Sequence, residues 1–206
     1  MPELSLLLIF IPTWFLVSLS PGLCMSLAMT LGMTVGYKKT LWMMLGELLG
    51  VALVGILSVI GVAKFILEYP DIFFYAKIIG GVYIVYVGIC TMKTPVQLAE
   101  YDLKHIKTIT PLSLLNNGFM TAILNPKGWA FMVSLLPPLF DPKASLASQL
   151  SVFITIILIS EFICMSLYAY GGKGLRHWLN KNDKAHYINW VGGLLLIMVG
   201  IWLALS

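Results

Sequence analysis

The chain has 206 residues, 59% of them hydrophobic and only 11% charged, with a mean hydropathy of +0.92, where a soluble domain carries about 25% charged residues. A water-soluble fold of this size has no interior able to hide so much apolar side chain, so the composition excludes a soluble enzyme and points to a bilayer protein. The formal charge of +4 does not indicate a nucleic-acid partner, because the basic residues are spread over short polar stretches between apolar blocks.

The sequence opens Met1-Pro2-Glu3, acidic where a secretory signal is basic, and equally hydrophobic segments follow, so the first apolar stretch is expected to stay as a span. Six segments approach the roughly 20 residues that a helical crossing requires. They run from Leu4 to Leu31, Thr40 to Leu67, Ile72 to Met92, Leu112 to Phe140, Leu146 to Tyr170 and Tyr187 to Leu205. Two polar stretches, Lys93 to Thr110 and Gly171 to His186, read as loops outside the hydrocarbon. Basic residues mark the cytoplasmic side of a membrane protein. One set of alternating loops holds Lys38, Lys39, Lys93, Lys104, Lys107, Lys173, Arg176, Lys181 and Lys184, and the opposite set only Lys64 and Lys143. With six spans, this places both termini outside the cytoplasm.

The run from Gly80 to Ile89, with glycines at 80, 81 and 88, recurs from Gly192 to Ile201, with glycines at 192, 193 and 200. The likeness reads as a duplication of a three-span unit; glycine is common wherever membrane helices pack closely, so chance is the alternative. Two further landmarks repeat in the same order: a proline break, Ser20-Pro21-Gly22 and then Asn125-Pro126-Lys127-Gly128, and a carboxylate inside a span, Glu47 and then Glu161. An odd number of spans per unit turns the second copy upside down. The expected fold class is therefore all-α: a polytopic membrane protein of six transmembrane helices built as two inverted three-helix repeats. It forms one domain over 1–206, with repeat one at about 4–92, a connecting loop at about 93–111 and repeat two at about 112–205.

Proline removes a helical hydrogen bond and clashes with the preceding turn, and broken helices persist in hydrocarbon only where protein or a water-filled cavity supplies partners. Each break creates a half-helix N-terminus suited to a carboxylate. An ordinary kink is the alternative for either proline alone; matched breaks are a pointer to a transporter's central site. A carboxylate at the bilayer centre costs at least ~2.5 kcal/mol, which makes Glu47 and Glu161 functional candidates, although Glu47 lies only about two turns beyond Lys39 and also reads as a solvated residue near a span end. Lys127 is the basic residue deep in the second break, a partner for either carboxylate or for an anionic substrate group. The candidate substrate-binding residues are thus Ser20, Pro21, Gly22, Glu47, Asn125, Pro126, Lys127 and Glu161.

Cys24, Cys90 and Cys164 form no C-x-x-C pair and read as small apolar fillers; no metal site, cofactor motif or catalytic constellation is indicated. The tryptophans at 14, 42, 129, 178, 190 and 202 read as interfacial belt and packing residues, while Tyr83 and Tyr86 are open to either packing or the transport path.

The chain resembles the LysE/RhtB family of bacterial amino-acid exporters along nearly its whole length. Ser20-Pro21-Gly22 followed by Gly36-Tyr37-Lys38-Lys39 is similar to the family's T-P-G-P break and its basic sequel. The run from Lys77 through Gly80, Gly81, Tyr83 and Tyr86 to Gly88 resembles the third span, Leu124-Asn125-Pro126-Lys127 with Leu135-Leu136-Pro137 the L-N-P-K and F-L-P-Q stretch, and Trp190 to Gly200 the last span. The resemblance implies an inverted repeat of three helices in the bacterial cytoplasmic (inner) membrane, exporting amino acids or close relatives and driven by protons, with no enzymatic activity; an acidic residue at the place of Glu161 is common in the family. Leu23 stands where the second proline of T-P-G-P is expected, and Cys24 where many relatives have a polar residue. Cation or metal efflux is the alternative transport reading, although His105, His177 and His186 all lie in loops; a membrane thiol oxidoreductase is a further one, matched by Cys24 in only one break. The partners expected are an amino-acid substrate, protons and the lipid bilayer, with homo-oligomerisation left open.

Overall fold

Proline and glycine divide the chain into its elements. In the computed structural model, which describes residues 4–68, 70–93, 110–141, 144–180 and 184–205, these form eight α-helices and a 3-10 turn, with no strand among the described residues. The helices are α1 (Leu4–Leu19), α2 (Leu23–Thr34), α3 (Tyr37–Glu68), α4 (Pro70–Lys93), α5 (Pro111–Ile123), α6 (Pro126–Leu135), α7 (Leu146–Asn180) and α8 (Lys184–Leu205), with the 3-10 turn at Pro137–Leu139. Pro111 and Pro126 stand in the first turns of α5 and α6, where a missing N–H costs nothing. Thr110 caps α5 by accepting from Ser113 N at 3.2 Å. At the end of α2, Gly36 takes φ +84 and its N–H bonds back to Leu31 O at 3.2 Å, a left-handed helix stop that suits glycine because it lacks Cβ.

The molecule is a helical membrane protein. Residues 37–61 of α3 and 146–172 of α7 are each long and apolar enough to cross a bilayer, the 25-residue stretch of α3 covering roughly 37 Å at about 1.5 Å per residue. Residues 6–19 of α1 and α2 qualify only as a pair, bent by 56° at the Ser20-Pro21-Gly22 break, and shorter apolar stretches lie at 78–93 and 190–202. The fourth apolar segment is likewise broken, into α5, α6 and the 3-10 turn.

One expected loop is largely helical. The stretch Gly171 to His186 continues α7 to Asn180, with an interruption at Gly172 (φ 39, ψ −122), and α8 begins at Lys184; positions 181–183 lie outside the described residues. Polar composition argues against burial in lipid, not against helix, and Lys, Arg and Leu are good helix formers. The expected connecting loop falls mostly on 94–109, also outside the described residues, as are Lys104, Lys107, Lys143 and Lys181.

Helices touch backbone to backbone where glycines meet. A Cβ at Gly46 would overlap Leu115 O and one at Gly118 would overlap Met43 O, so α3 and α5 cross in direct contact. In the pairing of α4 with α8, Gly81 lies on Gly200 O and Gly88 on Gly193 O, which makes the two helices antiparallel. Two apolar cores result. One gathers Phe10, Trp14, Phe131, Phe153 and Leu196 from α1, α6, α7 and α8, with Phe10 edge-on to Phe153 at 4.9 Å; the other gathers Met25, Met29, Met43, Leu114 and Met165 from α2, α3, α5 and α7.

Candidate functional site

Between the two cores lies a small cavity of about 50 Å³. Its wall brings together residues far apart in the chain: Ser20, Gly22 and Cys24 at the first break, Glu47 on α3, Asn125 and Lys127 at the second break, and Glu161 on α7. Six of the eight residues singled out in the sequence therefore share one cavity. Pro21 is not part of the lining, and the side chain of Pro126 lies outside the described ones.

The first break is built from distant partners. Pro21 ends α1, leaving carbonyls that need donors at membrane depth. Ser20 Oγ donates to Val17 O at 2.8 Å, Tyr168 OH to Leu19 O at 3.0 Å, and Lys127 Nζ to Val17 O at 3.3 Å, to Ser20 O at 3.4 Å and to Ser20 Oγ. An ammonium at a helix C-terminus is also favoured by the helix dipole. Gly22, fully extended, precedes α2, whose first turn has no side-chain cap.

The second break satisfies itself. Asn125 Oδ1 caps α6 by accepting from Lys127 N at 3.1 Å, Asn125 N donates to Ala122 O at 3.2 Å, and Trp129 Nε1 donates to Ile123 O at 2.7 Å. Asn125 Nδ2 reaches across to Cys24 Sγ at 3.6 Å, so the two breaks are joined twice, through Asn125 to Cys24 and through Lys127 to Ser20.

The carboxylates differ. Glu161 is half-buried and its Oε1 accepts from Ser18 Oγ at 2.9 Å. Glu47 is only 1% exposed, which removes the reading of a solvated span end, and its Oε2 has no hydrogen-bond partner among the described residues. Lys127 makes no ion pair with either carboxylate; its ammonium is on the end of α1, near enough to Glu161 to feel its charge.

The comparisons with known proteins identify the family. The LysE type translocator family model matches residues 15–206. The chain belongs to that family. LysE type translocators are exporters, and this member is a multi-pass membrane protein of that transport class. Among its relatives is an uncharacterized membrane protein of Bacillus subtilis, 21% identical over 97% of this chain and 99% of the relative. Another, from a Synechocystis species and also uncharacterized, is 24% identical over 83% and 82%. The homoserine/homoserine lactone efflux protein of Salmonella typhi is 23% identical over 95% of this chain and 94% of its own. No solved structure matches.

Several residues of this translocator's cavity carried no distinct signal in the sequence. Cys24, expected as filler, lines the cavity against Glu47 and Asn125, and Trp14, expected in an interfacial belt, is 2% exposed and lines it too. Ser18 and Tyr168 matter through partners 143 and 149 residues away; four- and seven-residue spacing from Trp14 and Glu161, along one helical face each, is the only sequence signal that marks them. Tyr83 and Tyr86 lie outside the cavity, on an exposed face of α4.

Proposed function

We propose that this chain is a secondary transporter that exports amino acids or close derivatives from the bacterial cytoplasm in exchange for protons, with the cavity between the two breaks as its substrate site. One observation above all supports this reading: Glu47 and Glu161, from different helices, meet the ends of both broken helices in a single cavity. Carboxylates at membrane depth are retained for a partner, a cavity or a bound proton, and an ammonium group or a proton answers both of them. The uncapped first turn of α2, opening on the same space, suits an oxygen of the same substrate. The efflux of homoserine and its lactone, for which the Salmonella relative is named, is consistent with such a molecule.

The architecture that goes with this reading is six spans in two inverted repeats, with the termini outside the cytoplasm. Its support is the self-matching pair α4 and α8. Gly81 and Gly88 correspond in the repeat to Gly193 and Gly200, and the contacts of Gly81 with Gly200 and of Gly88 with Gly193 exchange under that correspondence.

The test is export itself. A bacterial strain overproducing the protein should resist toxic amino-acid analogues and homoserine lactone. Everted membrane vesicles should couple uptake of the protective compound to proton release. Glu161→Gln, at equal membrane level, should abolish the resistance or its dependence on the proton gradient. Resistance to none of these compounds, with resistance to cadmium in its place, would reject the reading in favour of metal efflux.

A further inference from the structure

We infer that the cavity selects molecules carrying an ammonium group and no carboxylate, and that Glu47 is the group that receives the ammonium. This rests on the exporter reading and names its substrate class: amino esters, lactones or amides in preference to free amino acids.

The only cationic side chain in the lining among the described residues, Lys127, is already committed. An ammonium has three N–H donors, and those of Lys127 are directed at Val17 O, Ser20 O and Ser20 Oγ. Turning Lys127 toward a substrate carboxylate would strip the end of α1 of these donors at membrane depth, where an unsatisfied carbonyl is costly. Asn125 offers no charge: its oxygen is taken by the cap of α6 and one of its two amide N–H groups by Cys24. The donors that remain are neutral: the uncapped first turn of α2 and the indole of Trp14, whose Nε1 is buried in the lining without a partner among the described residues. Such donors serve an ester or amide carbonyl and carry no full charge to balance a carboxylate.

The acceptors lean the other way. Glu47 is 1% exposed, lines the cavity, and keeps Oε2 without a hydrogen bond among the described residues, its carboxylate meeting only the weakly donating thiol of Cys24, whereas Glu161 takes the hydroxyl of Ser18. Lys127 can balance one of the two carboxylates at most, so the other is answered by a proton or by a bound cation. An ammonium replaces that proton. A zwitterion adds a third carboxylate beside the first two, a like-charge contact that low dielectric makes severe.

The experiment is equilibrium binding to the purified full-length protein in detergent at pH 6, where the ester amines are protonated, using matched pairs: threonine, leucine and methionine, each with its methyl ester. The esters should bind at least about tenfold more tightly than their amino acids, and Glu47→Gln should bring that ratio close to one. The wild-type ratio needs no variant, so it decides the substrate class even if Glu47→Gln folds poorly, and Glu47→Asp then serves as the second carboxylate variant. Amino acids bound as tightly as their esters would overturn the inference while leaving the exporter reading intact. A preference that survives Glu47→Gln would overturn the assignment to Glu47. Binding of no member of any pair would remove both the inference and the reading beneath it.

Discussion

The two proline breaks solve one physical problem in opposite ways. Around Asn125-Pro126-Lys127 the backbone groups find their partners within a few residues: Asn125 caps α6, its own N–H returns to Ala122 O, and Trp129 covers Ile123 O. Around Ser20-Pro21-Gly22 the partners beyond Ser20 itself arrive from α6 and α7, through Lys127 and Tyr168. The second break is thus a local motif and the first a tertiary junction. The difference teaches what each depends on: a junction held by side chains from two other helices depends on how those helices sit, while the backbone of the self-capped break does not.

The largest effect is expected from cutting the junction at Lys127. Lys127→Met removes the long-range donor of Ser20 O and one of two donors to Val17 O. A buried carbonyl left without a donor costs about 1–3 kcal/mol, so a loss near 3 kcal/mol is expected, read as a lower unfolding temperature of the purified protein and less folded protein in the membrane. Because the ammonium makes no ion pair, neutralising Glu161 as well should not rescue it. Unchanged stability would break the comparison, since the first break would then be as self-sufficient as the second.

A smaller loss is expected at the local break. Asn125→Ala removes the α6 cap, typically about 1 kcal/mol, together with the link to Cys24. Trp129→Phe keeps a ring but strips Ile123 O of its donor, for about 1 kcal/mol. As both act on one turn, their double variant should lose less than the sum, whereas Asn125→Ala and Tyr168→Phe, at separate junctions, should add. Thermal unfolding of the three single and two double variants checks this, and the reverse pattern would mean that the breaks are not independent units.

The same contrast explains what the sequence made legible. The bilayer class follows from composition, and the breaks and intramembrane carboxylates were visible because proline and glutamate are anomalous in apolar segments. The second break was legible in detail, since Asn125-Pro126 with a residue to cap is a local pattern. The wiring of the first was not. Nothing local to Lys127 states that its ammonium lies on a helix end 107–110 residues earlier, and electrostatics alone suggested a carboxylate partner. Trp14 and Cys24 were hidden for a related reason: apolar residue types say that they are buried, not that the surface burying them is a cavity wall. The helical stretch beyond Gly172 was read as a loop because charge reports on solvent, while helix depends on backbone propensity.

The finest test of the junction is the hydroxyl of Tyr168. Its ring is buried in the core of α2, α3, α5 and α7, and its OH donates to Leu19 O at 3.0 Å. Tyr168→Phe keeps the ring and removes only that bond. Hydrogen bonds between membrane helices average about 0.6 kcal/mol, so the expected loss of stability is the smallest here. Its interest is in coupling. Seven residues, two helical turns, separate Tyr168 from Glu161 on α7, and Glu161 holds the same end of α1 through Ser18 at 2.9 Å. The two bonds together fix how α1 sits along α7, so removing either leaves the other to hold the register. Tyr168→Phe combined with Ser18→Ala should therefore cost more than the sum of the two single losses, and should depress transport further than either alone. Strict additivity in a double-mutant cycle would confine the tertiary dependence of the first break to Lys127 and remove α7 from it.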